Sequence, residues 1–408
     1  MKRLFVVLPA LFLLFALFPC ASAQTRIMVA SDLHYLSPTL YEPENPYFLE
    51  TVASGAGKAT MLSSELLAGL VAEALHQQPD VLLLTGDLTF NGESVSHQEL
   101  AQAMRALQAE GIPVFVIPGN HDINNENAVR FTDDGLEWID SVTSDGFRRC
   151  WAGMLAGDLT GPGFSGVVRL SNSVWVALGD YSVYEDRLEA HGSATEAHLQ
   201  WMSEVMAAAQ EAGATVVSAS HQTLLSHTEY STHTFRVIGG EKIAALLSEG
   251  GYRLNLCGHM HTQHILPGDA LTDIATGALC VSPHRYGIVT VQEDGSLCYD
   301  AYSLCPEHLP GNLCEDSREF FRSTMYKGLR VQLMGMGVFD QKLTDMIRFA
   351  ADVNEYYFAG TLSEHPEVLA DPARALWKQY ERTSSFAHYL TLLLSEEITD
   401  DLHWRSAP

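Results

Sequence analysis

Five stretches of this 408-residue chain carry side chains able to hold a metal ion. They are Asp32-Leu33-His34, Gly86-Asp87, Gly119-Asn120-His121-Asp122, His221, and Gly258-His259-Met260-His261. Their carboxylates, imidazoles and carboxamide are oxygen and nitrogen donors, with no thiolate among them. Such a set suits manganese, iron or zinc better than calcium, copper(I) or an iron–sulfur cluster. Any one fragment recurs by chance, and a lone histidine is more often a surface or hydrogen-bonded core residue than a ligand. The weight lies in all five occurring in order, each after a strand-like run.

Those runs are Ile27–Ala30, Val81–Leu84, Val114–Ile117, Thr215–Val217 and Arg253–Leu256, with Val174–Leu178 as a sixth that leads to no ligand. They are short, β-branched or Leu-rich, and end at turn residues, as buried strands do. Helices are expected over Met61–His76, His97–Glu110, Thr195–Ala212 and Gly240–Glu249, with Gly111 where the second must stop. The alternation implies parallel strands covered by helices. Side chains just beyond the carboxyl ends of such strands meet at one place. Gly86, Gly119 and Gly258 precede ligands where the backbone must turn sharply. Pro38–Lys58 shows no element of its own and reads either as a roof over the cleft or as a packed surface loop. Gly55-Ala56-Gly57-Lys58 lacks the spacing and the preceding strand of a phosphate-binding loop. Asn91 falls close to the cleft, whereas His227, His233 and His284 read as ordinary polar residues. From Leu271 to Ser303 short strand-like pieces recur without helices, as a second, more antiparallel sheet or an edge. Arg318–Met336, Phe339–Phe358 and Pro372–Ser395 then carry Leu, Met, Phe and Tyr at helical spacing.

On these motifs the sequence resembles the calcineurin-like metallophosphoesterase superfamily over about residues 26–300. Ser31–Ser37 and Thr85–Glu93 look most like its bacterial cyclic-nucleotide-phosphodiesterase-like branch. The resemblance implies an α/β fold: a two-sheet sandwich flanked by helices, here followed by a helical C-terminal region. It also implies roles. Asp32, His34, Asp87 and His261 would hold a first metal ion, and Asp87, Asn120, His221 and His259 a second, with Asp87 bridging. A shared carboxylate lets two cations stand about 3.5–4 Å apart, and water between them becomes hydroxide near neutral pH and attacks phosphorus. Both cations offset the charge building on the phosphoryl oxygens. His121 would face the leaving group, and Asp122 would orient its ring, the plainer alternative for Asp122 being a loop cap. Gln222 stands where relatives often carry His or Pro, which bears on substrate contacts and not on the ligand count. The implied activity is metal-dependent hydrolysis of phosphoric esters, phosphodiesters ahead of monoesters. Phosphomonoesterase or nucleotidase action on the same site is the alternative. A non-catalytic binding module would be expected to have lost ligands or the proton donor, and all are present.

The remaining signals concern location and partners. Lys2 and Arg3, the apolar run Leu4–Phe18 and the small residues Ala21-Ser22-Ala23 have the layout of a secretory signal peptide cleaved after Ala23. The run is shorter than the roughly 20 residues a spanning helix needs, and no later stretch is apolar enough for one. Phe18 and Pro19 suit a lipid-bearing Cys20 poorly. The expected organisation is therefore a signal peptide over 1–23, the phosphoesterase domain over 24–305 and a helical region over 306–408, in a secreted or periplasmic protein. Fifty acidic against 24 basic residues give a formal charge of −26, and loss of the leader removes two cations and no anion. Such a surface repels nucleic acid and anionic lipid at long range, so a small phosphoester is the expected partner. The cysteines beyond Cys20 are even in number, which permits disulfides in an exported protein. Cys305–Cys314, spanning Pro306, Pro310 and Gly311, is the expected pair. Cys257, two residues before His259, reads as a buried neighbour and not a ligand.

Overall fold

Alternate residues of the same strands face two different cores, and this makes the fold a sandwich. The computed structural model describes residues 24–185, 188–230, 233–268, 271–305 and 308–406; the leader and its cleavage point lie outside them. In one sheet Thr25–Ala30, Val81–Thr85 and Val114–Ile117 run parallel in that order. In the facing sheet Thr272–Ala275, Leu254–Cys257, Thr215–Ser220 and Val174–Gly179 run parallel. Ile27, Val29, Val81 and Leu83 of the first sheet pack with Val176, Val217, Leu254 and Leu256 of the second. One residue along, Met28, Ala30, Leu82 and Leu84 face outward and meet Leu66, Leu70, Leu100 and Met104. Those belong to the helices Ser63–Gln77 and Ser94–Ala109. On the far side Trp175 and Val216 meet Met202, Val205 and Ile243 of Glu196–Ala212 and Gly240–Glu249. A period of two puts an apolar residue on both faces, so the central strands are apolar throughout.

The expected strands and helices are present, with ends displaced by a few residues. One alternative is decided and two expectations are corrected. The pieces after Leu271 take the edge reading and do not form a sheet of their own. Thr272–Ala275 enters the second sheet, while Arg285–Val291 pairs antiparallel with Thr25–Ala30 and Leu297–Ser303 antiparallel with Arg285–Val291, extending the first. Pro38–Lys58 holds a helix, Pro46–Ala53, begun by Asn45, whose side chain accepts from the Tyr47 and Phe48 amides. Pro372–Ser395 is two helices, Ala373–Lys378 and Ser385–Leu393, because Ser384 caps a fresh start by accepting from the Ala387 amide.

The helices Leu313–Gly335 and Asp340–Ala359 pack together around Leu333, Met346, Phe349 and Val353, with Trp377 and Leu390 closing the same core. Arg322 joins them by pairing with Asp352 at 2.7 Å and with Glu355. The last described element is a strand, His403–Arg405, which pairs antiparallel with Leu297–Ser303. The Cys305–Cys314 disulfide is formed, while Cys150, Cys257, Cys280 and Cys298 are free.

Candidate metal centre

Five loops leave the strand ends and converge. Asp32 donates its amide to the Gly86 carbonyl at 3.1 Å, His34 its amide to the Asp87 carbonyl at 3.0 Å, and Gly258 its amide to the His221 carbonyl at 2.9 Å. Asp32, His34, Asp87, His259 and His261 all adopt left-handed backbone angles, with φ between 41° and 64°. For residues bearing a Cβ this costs roughly 1–2 kcal/mol each, and such strain accumulates where side-chain placement matters more than stability. The glycines act by absence. A Cβ on Gly119 would lie 2.2 Å from Asp87 Oδ1, and one on Gly258 1.8 Å from Ser31 Oγ. Neither has the positive φ of a sharp turn; both are needed because another chain segment passes through the space.

The resulting side chains form two groups that share Asp87. Asp32, His34, Asp87 and His261 have ligand atoms within 4.8 Å of one another, as do Asp87, His221 and His259. In the first, His34 Nε2 is 3.5 Å from Asp87 Oδ2 and 3.2 Å from His261 Nε2, and His261 Nε2 is 3.4 Å from Asp32 Oδ1. In the second, His221 Nε2 is 3.3 Å from Asp87 Oδ1 and 3.2 Å from both His259 Nδ1 and Asn120 Oδ1. Asp87 thus turns one oxygen to each group.

Proton positions follow from the outer ring atoms. His221 Nδ1 faces the Thr85 carbonyl at 2.8 Å and His259 Nε2 faces the Thr234 carbonyl at 3.3 Å. A carbonyl only accepts, so these nitrogens carry the protons and the inner ones present lone pairs. Two imidazole lone pairs, a carboxylate oxygen and a carboxamide oxygen then point at one another, which is repulsive without positive charge between them. Asp32 Oδ1 is likewise buried with no hydrogen-bond donor among the described residues. A cation satisfies every one of these atoms, and carbonyls behind the rings are the supports that metal-binding histidines use. In the metal-free chain a second proton on His221 answers the same demand for positive charge. Burial pulls His221 down, yet Asp87 beside it lifts it to about 9. Burial pushes Asp87 up, but the surrounding histidines hold it well below the carboxylate range. His259 falls to about 3 through burial and the charge on His221.

All seven expected ligands are therefore in one place. His121 lies beside them, with Nε2 4.0 Å from Asp87 Oδ2 and its ring edge-on to His34. The expected orienting contact from Asp122 is absent among the described residues. Its carboxylate accepts instead from the amides of Gly119, Leu88 and Thr89 at 2.8 to 3.1 Å and from the Thr89 hydroxyl. It ties together the loops bearing Asp87 and Asn120, a cap spanning two loops. The groups that meet His121 Nδ1 are the Phe90 carbonyl and Asn91 Oδ1, both at 2.9 Å. Asn91 is fixed in that sense because Asn125 Nδ2 donates to the same oxygen and Asn91 Nδ2 donates to the Asn127 carbonyl. Lys58, which the sequence offers no reason to single out, brings Nζ to 3.5 Å from His34 Nε2. Gln222 is buried and spends its amide on Ser182 and Ala190.

The family model for calcineurin-like phosphoesterases matches residues 25–263. The chain belongs to that family. Its fold is that of a dimetal phosphatase from Danio rerio, with a TM-score of 0.50 at 14% identity, covering 69% of this chain and 96% of that one. Among curated relatives of this phosphoesterase, a probable cyclic nucleotide phosphodiesterase of Vesicomyosocius okutanii is 38% identical over 66 residues, 16% of this chain and 27% of that protein. A probable glycerophosphodiester phosphodiesterase of Arcobacter nitrofigilis is 35% identical over 66 residues, 16% of this chain and 22% of that protein. These matches thus span about a quarter of each relative.

Proposed function

We propose that this calcineurin-like phosphoesterase is an exported, metal-dependent hydrolase of phosphoric esters that favours phosphodiesters. The observation that carries the reading is the inward convergence of acceptor atoms on both sides of Asp87. Asp32, His34, Asp87 and His261 would hold one ion and Asp87, Asn120, His221 and His259 a second, manganese, iron or zinc fitting these nitrogen and oxygen donors. Such ions would acidify a bound water and offset charge on the phosphoryl oxygens.

The chain's own residues do the rest. Thr85 and Thr234 carbonyls keep the His221 and His259 lone pairs aimed inward. Lys58 Nζ, beside His34, adds a fixed positive charge for a phosphoryl oxygen. The oxygen of water forms the new bond to phosphorus, the bond to the departing oxygen breaks, and His121 gives that oxygen a proton. Because Nδ1–H is held on Phe90 and Asn91, His121 donates from Nε2 and must be an imidazolium to do so. Burial lowers its pKa, with Asp87 opposing the fall, and the negative charge gathering on the departing oxygen draws the proton across. The diester preference is supported by the names of the two curated relatives, each matched over 66 residues, and export by the Lys2–Ala23 pattern.

Hydrolysis of bis-p-nitrophenyl phosphate and p-nitrophenyl phosphate with added manganese tests this. Turnover should be faster on the diester and be abolished by Asp87→Ala. No turnover with any divalent metal would overturn the proposal in favour of a binding module. His121→Ala should keep its metal and lose on the order of 10²-fold on esters with poor leaving groups; an empty site in that variant would contradict its role. Export predicts a mature protein that begins at Gln24 on N-terminal sequencing.

A further inference from the structure

Beside the candidate metal centre, between the phosphoesterase loops and the C-terminal helices, lies a cavity of about 490 Å³. Its inner wall is continuous with the centre. Phe235 packs its ring against His259 with centroids 5.6 Å apart, and Met260 lies between the two candidate ligands His259 and His261. Its outer wall comes from the helical region, through Phe321, Met325, Tyr357 and Phe386. In a chain with 74 charged residues by formal count of 24 basic and 50 acidic, no Asp, Glu, Lys, Arg or His is among the described residues that line it. Its polar atoms are largely engaged: the Tyr389 hydroxyl donates to Asn354 Oδ1 at 2.9 Å, and Thr262 Oγ1 donates to the Met260 carbonyl at 3.2 Å.

The space is partly open to solvent, and its apolar lining, more than its size, sets it apart. Its volume is that of a small-molecule pocket, and methionine and aromatic walls accommodate varied apolar shapes. Its position selects the ligand. Its wall adjoins His259 through Phe235 and lies next to His259 and His261 in the chain through Met260, whereas the residues that meet His121, on the leaving-group side, are His34, Asp87, Phe90 and Asn91, none of them in the wall. We propose that this cavity receives an apolar substituent of the substrate, an alkyl chain or an aryl ring, carried on the phosphoryl oxygen that does not depart. The substrate class is then an amphipathic phosphodiester, and the helical region is a specificity element. This inference rests on the phosphoesterase reading above and narrows it.

The test is a series of diesters with a constant p-nitrophenolate leaving group and a methyl, octyl or phenyl second substituent. They are assayed on the full-length manganese-loaded protein below micelle-forming concentrations. Burying one methylene favours binding by about fourfold, so kcat/KM for the octyl ester should exceed that for the methyl ester by at least about tenfold. A high phenyl and low octyl rate would assign the cavity to aryl groups, and the reverse to chains. Thr324→Trp and Ala53→Trp, which enter the cavity from two different helices, should bring the octyl-to-methyl ratio close to one. Should either fail to fold, calorimetry with octylphosphonate against methylphosphonate on the unaltered protein reads the same preference. Equal kcat/KM across the series, or an octyl advantage that survives both folded Trp variants, overturns the apolar site and leaves the phosphoesterase standing. Absence of turnover even on the methyl ester would instead remove the underlying activity.

Discussion

At His121 the proton that matters is decided by the nitrogen that takes no part. Phe90 and Asn91 hold Nδ1–H, which leaves Nε2 facing the carboxylate of Asp87. Asn91→Ala removes one of two acceptors and loosens the ring, and residues supporting a site in this way typically matter by about 10–100-fold. The loss should appear in kcat with a poor leaving group and be small with p-nitrophenolate; an equal loss on both would mean that Asn91 does something other than position His121. Asp122 acts differently. Its carboxylate holds three backbone amides and a hydroxyl in a fully buried place, so Asp122→Ala leaves those donors without a partner. A stability loss of about 2–4 kcal/mol is expected, on the scale of several buried donors left unmet. Urea unfolding would measure it, and an unchanged midpoint would refute the cap. The motif containing His121 and Asp122 is plain in the sequence. Which of its neighbours orients the imidazole is not, because Asn91 reaches it across 30 residues of chain.

At the level of elements, strand, turn and ligand form a unit whose strain is concentrated in the turn. The runs before Asp32, Asp87, Asn120, His221 and His259 are legible from period and composition alone. So is the stop of the helix Glu196–Ala212 at Gly213, where φ is 64°. The helix Pro46–Ala53 is short, and its start is signalled by Asn45-Pro46, a capping side chain followed by a residue pre-set for the first turn. Phe48 of that helix stacks on Tyr41 at 4.0 Å and meets Phe131 edge-on, which anchors the segment that ends at Lys58. Asn45 caps two amides and also donates to the Thr132 carbonyl. Asn45→Ala should therefore cost about 1–2 kcal/mol in urea unfolding. It should also weaken substrate binding through Lys58, read as a raised KM with kcat nearly unchanged; an unaltered KM would show that the loop holds Lys58 without this helix.

Across the whole molecule, the two sheets meet through Ile27, Val29, Val217 and Leu256, and the candidate ligands stand at one end of that shared core. Ions held by loops from both sheets bind the folded chain alone and so add to its stability. Chelation should lower the thermal midpoint by a few degrees, roughly what 1–2 kcal/mol does in a protein of this size, and manganese should restore it. A midpoint indifferent to chelator would speak against ions bridging the sheets.

The amino-acid sequence by itself determined which residues could serve as ligands, their order, and the strands that deliver them, because identity and periodicity are local properties. It carried the Cys305–Cys314 pair for the same reason, the two cysteines being separated by 9 positions. Tertiary structure alone decided that Thr85 and Thr234 turn the His221 and His259 rings inward, and that Lys58 approaches His34. It alone brought Arg285–Val291 onto Thr25–Ala30 and the C-terminal helices beside Phe235. Each of these is a contact between distant parts of the chain, formed only when the sheets and helices have packed, and no local pattern records which distant atom will fill a given space.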